Sequence, residues 1–135
     1  MGSADFSFLF WDVYKIELYA EDKSLENELA LKLTYKRKLY GEKIAERSIE
    51  EIKKQNCGDK KDYDTWLNKM KNIFPDIKKG DYLIGNKKSS GITTFTKNDK
   101  PIGKFENKNL SKCFFDIWLS PNTTEPELRE KLLGK

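Results

Sequence analysis

The sequence predicts an α+β domain, a mainly antiparallel β-sheet with a helical layer packed on one face. Three observations carry this expectation. Residues 29–36 alternate apolar and polar side chains, the period that gives a strand one buried and one wet face. The stretches 41–55 and 110–118 set their apolar residues three and four positions apart, which lines one side of a helix. The elements run in the order ββ–αα–βββ–αα, so strands group with strands and helices with helices, unlike the strict alternation of a parallel fold.

The first β segment covers residues 6–20. Phe6, Phe8 and Phe10 alternate with Ser7, Leu9 and Trp11, so both faces begin apolar, and further on Tyr14, Ile16, Leu18 and Ala20 share one face. A bend or bulge near Trp11 and Asp12 accounts for the change. "EDKSLEN" is a polar turn, after which "ELALKLTYKRKL" forms a strand with Leu29, Leu31, Leu33 and Tyr35 on its apolar face. A helix follows over Gly41–Gln55, with Ile44, Ala45, Ser48, Ile49 and Ile52 as its buried stripe and Arg47 at the rim. A second helix starts with Asp62 or Asp64 as N-cap, carries Trp66, Leu67, Met70, Ile73 and Phe74 on one face, and ends before Pro75. Three short strands, Tyr82–Asn86, Ile92–Thr96 and Ile102–Phe105, turn through "KKSSG" and "KNDKP". Leu110, Cys113, Phe114, Ile117 and Trp118 then mark a strongly buried helix. Thr124 and Glu127 have the spacing of a capping box for a last short helix with Leu128, Leu132 and Leu133, closed by Gly134. No repeat or linker divides residues 1–135, which read as one domain.

Composition removes whole classes of chemistry. There is no His, which excludes imidazole catalysis and His-ligated metals. Cys57 and Cys113 are too few for a thiolate zinc cluster, and no Gly-rich phosphate loop is present, so neither cofactor nor metal is expected. The two cysteines suit a single disulfide if the protein is exported, though spacing alone does not fix the geometry. Charged residues reach 36% but the signs alternate and the net charge is only +4, so no nucleic-acid partner is expected. No apolar run has the length of a membrane span. The opening "MGSADFSFLFWDVYKIELY" enters a strand-like pattern at once with no signal peptide, so the chain is either cytoplasmic or has lost a leader.

Five stretches in order, "LFWDVYKIELYAED", "LTYKRKLYGEKIAERSIEEI", "IFPDIKKGDYL", "PIGKF" and "FFDIWLSPNTTEPELREKLLG", resemble the bacterial chalcone-isomerase-like proteins. The likeness runs from about Phe8 to Gly134 and is most specific in its closing helix and "IWLSP". It implies the chalcone isomerase fold, a large antiparallel sheet and a helical layer that enclose an apolar cleft. It further implies a protein that usually carries a secretion signal, and hence an exported or periplasmic location. Plant relatives include isomerases that cyclise chalcones and non-catalytic fatty-acid-binding members.

The resemblance also implies site residues. "YGEKIAER" sets Tyr40 at a cleft tyrosine and Arg47 at a polar cleft position usually occupied by Asn, while counting back from "YAED" sets Tyr14 at a catalytic Thr. The catalytic Arg of the plant enzymes belongs in the preceding strand, and "GSADFSF" contains none. That guanidinium would stabilise developing enolate charge, so its absence weakens the isomerase reading. Arg47 has two readings: a solvated i,i+4 partner of Glu51, or a fork facing a carboxylate in the cleft. Tyr14 and Tyr19 have packing roles available, and Trp11, Trp66 and Trp118 read either as core or as walls of a cavity. Asp12, Asp81 and Asp116 each have a turn, cap or surface explanation.

The expectation is a non-catalytic binding protein for a small amphipathic ligand, a fatty acid or similar carboxylate, with Arg47, Tyr40 and Tyr14 as ligand-binding residues. Its alternatives are an isomerase or lyase acting on an enone-type substrate and a ligand-free scaffold. The oligomeric state is left open.

Overall fold

The computed structural model describes residues 2–8, 11–20 and 28–134. The chain folds as β1 (Gly2–Phe8), β2 (Trp11–Ala20), β3 (Leu29–Tyr35), α1 (Gly41–Lys54), α2 (Tyr63–Ile73), β4 (Tyr82–Lys87), β5 (Thr93–Lys97), β6 (Lys100–Phe105), α3 (Lys108–Leu119) and α4 (Pro126–Leu132). The six strands form one antiparallel sheet in sequence order, with the helices packed on it. The α+β class therefore holds, with one strand more than the sequence reading. The segment over residues 6–20 is not one bent strand but two paired ones, Phe6 facing Tyr14 and Phe8 facing Trp11. Its irregularity lies between Phe6 and Ser7, whose partners are Tyr14 and Asp12, leaving Val13 as the extra residue of a bulge. The polar turn expected at "EDKSLEN" lies outside the described residues, as do the side chains of Trp11 and Asp12.

Parity decides which face of the sheet is core. In β2 Tyr14, Ile16 and Leu18 are buried while Lys15 and Tyr19 are exposed. Tyr19, half exposed with its hydroxyl donating to Glu17, thus has no packing role, because it stands on the wet face. In β3 the inward set is Leu29, Leu31, Leu33 and Tyr35.

Between β3 and β4 the chain leaves the sheet to make α1 and α2 and returns beside the strand it left. The exit and return are clamped together. Tyr35 N donates to the Asp81 carbonyl and Gly80 N to that of Tyr35, and Leu39 bridges Ile77 in both directions. Gly41 opens α1 against the end of α2, where an added Cβ would lie 2.0 Å from the Phe74 carbonyl oxygen. Only glycine permits that approach. The buried stripe of α1 includes Ala45, Ser48, Ile49 and Ile52, as expected, and also Glu51. A 3-10 turn at Lys60–Asp62, capped by Asp59 accepting from Lys61 N, precedes α2. Asp62 occupies the N-cap position of α2 as expected, though its side chain makes no capping hydrogen bond.

The last helix also starts differently from the reading of Thr124 and Glu127 as a capping box. Glu125 is the N-cap and Pro126 occupies the first helical position. Thr124 is taken by a distant partner, its hydroxyl donating to the Glu51 carboxylate at 2.5 Å. Thr123 does the local work, donating to the Ile117 carbonyl and accepting from Glu125 N.

Cys57 and Cys113 form a disulfide with Cα atoms 5.7 Å apart. It ties the segment after α1 to the middle of α3, and Gln55 reinforces the contact by donating to the Asp116 carbonyl. A bridge closing 56 residues contributes about 4 kcal/mol by restricting the unfolded chain.

Candidate ligand-binding cavity

A hollow of about 450 Å³ opens between the sheet and the helices. Its floor follows the pairing of four strands. Tyr14 faces Tyr35 across β2 and β3, Leu33 faces Leu83 and Leu31 faces Gly85 across β3 and β4, and Gly85 faces Phe95 across β4 and β5. All of these line the hollow, so it runs obliquely from two phenols to a benzyl ring. Its roof is Ile44, Arg47, Ser48 and Glu51 of α1 together with Phe114, Ile117 and Trp118 of α3. The helices therefore cover the sheet without filling it, and the volume is that of a small-molecule site.

Polarity is unevenly placed. Arg37, Lys38, Lys43 and Arg47 line the hollow and are solvent-exposed, which puts cations on its rim. Lys43 is paired with Glu46 at 3.2 Å. Glu51 is the acid of the lining, and its two oxygens are engaged by Thr124 and by Lys54. Trp118 Nε1 donates to the Tyr14 hydroxyl at 3.0 Å. Burial pushes the Tyr14 phenol far above its ordinary range, with the Trp118 hydrogen bond and the Arg47 charge pulling it back. Burial pushes the Tyr35 phenol up as well, and the neighbouring Tyr14 adds to the effect. Both phenols are thus neutral at neutral pH and offer a proton; neither is a base.

The structure separates the three residues that the sequence brought together. Tyr14 is buried and lines the hollow, and Arg47 lines it from the exposed rim, close enough for its charge to act on Tyr14. Tyr40 does not line it. It is 55% exposed at the N-cap of α1, with Lys38 Nζ lying 5.2 Å from its ring centre. Its backbone is extended, so Tyr40 and Leu39 face opposite ways, and Leu39 is the one that turns inward to the hollow. Trp118, open from sequence to a role as core or as cavity wall, serves as a wall. Glu51 and Tyr35 were not singled out as site residues, and Tyr35 was legible only as the inward end of its strand.

A second hollow of about 490 Å³ lies beside the β4–β5 turn and the end of α3, walled by Lys87, Lys88, Lys108 and Lys112. It lacks the apolar depth of the first. Among the described residues no group of three or more Cys, Asp or Glu side chains is placed to hold a metal, and no helix is long and apolar enough to cross a membrane.

Comparison with known proteins bears out the resemblance. The chain is 31% identical to an uncharacterized protein of Haemophilus influenzae over 140 residues, spanning all of this chain and 67% of that one. The crystal structure of a fatty-acid binding protein from Arabidopsis thaliana superposes with a TM-score of 0.77 at 15% identity, covering 98% of this chain and 84% of the other. At that identity the likeness speaks for the fold. Residues 4–134 match the chalcone isomerase-like family, and the chain belongs to it.

Proposed function

We propose that this protein is a non-catalytic binding protein that holds a small amphipathic ligand, a fatty acid or similar carboxylate, between sheet and helices. One observation carries the reading: an apolar hollow of about 450 Å³ with cationic side chains on its rim. A hydrocarbon tail lies over Leu31, Leu33 and Phe95, and its carboxylate stays at the Tyr14 end under the Arg47 guanidinium. The shared fold of the Arabidopsis thaliana fatty-acid binding protein supports it. The neutral phenols of Tyr14 and Tyr35 fit binding better than base catalysis. We also propose that the protein works in an oxidising compartment outside the cytoplasm, which the Cys57–Cys113 bridge supports.

Native mass spectrometry and lipid extraction of the purified protein, followed by calorimetric titration with dodecanoate, test the reading. A co-purified carboxylate or a measurable affinity is expected, weakened about tenfold or more in Arg47→Ala by loss of a charge-assisted contact. No bound mass and no thermal response to acids of any chain length would sink it. Turnover of a chalcone that Arg47→Ala abolishes would replace it with the isomerase reading.

A further inference from the structure

Three tyrosines are buried among the described residues, and they are not treated alike. The Tyr63 hydroxyl donates to the Cys57 carbonyl at 2.8 Å, and the Tyr14 hydroxyl accepts from Trp118 at 3.0 Å. Tyr35 is 4% exposed and lines the hollow, and its hydroxyl has no hydrogen-bond partner among the described residues; only its backbone is bonded, to Gly80 and Asp81. Among the described residues, the side-chain oxygens sealed in the core without a partner are those of Thr93 and Ser111, not that of Tyr35. The Tyr35 hydroxyl therefore opens onto the hollow and bonds whatever fills it, while a Phe here would pack against Tyr14 equally well. Nothing in the fold explains the oxygen.

We infer that Tyr35 is a ligand-binding residue whose hydroxyl donates to an oxygen of the ligand's polar end, so that the cavity selects oxygen-headed chains over amine-headed ones. The inference rests on the binding reading above and adds to it the residue that donates to the ligand's head. Tyr35 stands 5.6 Å, ring centre to ring centre, from Tyr14, the residue that feels the Arg47 charge. A carboxylate at this end meets a neutral phenol donor on the sheet side and cations on the rim. An ammonium head would meet the same cations, and the lining's carboxylate, Glu51, is already engaged by Thr124 and Lys54. Because Tyr35 follows Leu29, Leu31 and Leu33 on the inward face of β3, its ring is fixed by the same parity that builds the core. The donor is therefore preorganised at the polar end of an apolar trough.

Tyr35→Phe in the full chain tests this, with dodecanoate and dodecyltrimethylammonium as calorimetric probes and thermal melts of the ligand-free protein. The expected result is a loss of dodecanoate affinity of about tenfold or more, an unchanged response to the ammonium probe, and a ligand-free melting temperature equal to wild type or higher. If Tyr35→Phe keeps its dodecanoate affinity while Arg47→Ala loses it, the Tyr35 assignment is overturned and the cavity reading stands. Equal weakening of both probes with a lower melting temperature would mark Tyr35 as merely structural and also overturn it. Failure of the wild-type protein to bind either probe would take both readings down together.

Discussion

At the β5 end of the cavity, Phe74, Phe95, Phe105 and Phe114 meet ring to ring, with centroids 4.7 to 6.3 Å apart and most pairs edge to face. At the β2 end, Tyr14 and Tyr35 stand 5.6 Å apart over unfilled space. Four rings stand against two, and each ring of the second set carries an oxygen that those of the first lack. A phenyl edge is satisfied by a phenyl face, so the phenylalanines need no polar partner even where Phe74, Phe95 and Phe114 border the hollow. A phenol closes only if its hydroxyl finds a partner, and the fold supplies one to Tyr14 and none to Tyr35. Stability is therefore concentrated at the first end, and the capacity to take a ligand at the second.

The largest break in this comparison comes from the closed end. Phe105 is fully buried, touches the rings of Phe74, Phe95 and Phe114, and does not line the cavity. Phe105→Ala should cost about 3–5 kcal/mol in denaturant unfolding, a larger loss than any substitution at the tyrosine end. A loss no greater than that of Tyr35→Phe would show that the two ends are built alike.

Elements with one unbroken period were legible in the sequence, because one burial rule governed each of them. Leu29, Leu31, Leu33 and Tyr35 alternate, and Leu110, Cys113, Phe114, Ile117 and Trp118 step by three and four; both sets are buried as expected. The failures lie where a distant partner or a reversal intervenes. Alternation through Phe6, Phe8 and Phe10 looks the same in one strand as in two, so the β1–β2 pair was missed. The capping box at Thr124 failed because Glu51, 73 residues away and buried on α1, takes its hydroxyl. Tyr19 was open to correction from sequence, since Tyr14, Ile16 and Leu18 already fix the opposite parity. Tyr40 was not, because a family position does not say whether Leu39 or Tyr40 turns inward. The cavity itself is absent from any local pattern: it is the volume by which α1 and α3 fall short of filling the sheet.

A smaller break sharpens the comparison from inside the trough. Gly85 gives the hollow its width near Phe95, and a Cβ there would lie 3.0 Å from the Phe95 ring and 3.6 Å from Phe115. Gly85→Val should cost about 1–3 kcal/mol through overpacking. It should also lower affinity for long-chain acids while leaving short ones little changed, because it intrudes at the tail end and not at the head. Titration with a chain-length series measures this, and equal losses at every length would place the tail elsewhere.

The smallest effect probes the tyrosine end by pH. Asp81 follows the turn that clamps β3 to β4 beside Tyr35, and its carboxylate accepts from Lys78 N at 2.9 Å and from Asn98 Nδ2 at 3.0 Å, with Lys97 at 3.7 Å. Those hydrogen bonds, the Lys78 one first, hold its carboxyl below the ordinary carboxylate range. A carboxyl whose folded value is depressed adds stability that is fully present above its unfolded value of about 4 and drains away as pH falls through the folded one. Asp81→Asn keeps an acceptor for Lys78 N but gives up the charge, so it should melt slightly below wild type at about pH 7 and converge on it as acid protonates the folded carboxyl. Melts across that range decide the point, since a constant gap between the two proteins would show that the carboxylate's charge has no part in holding the tyrosine end.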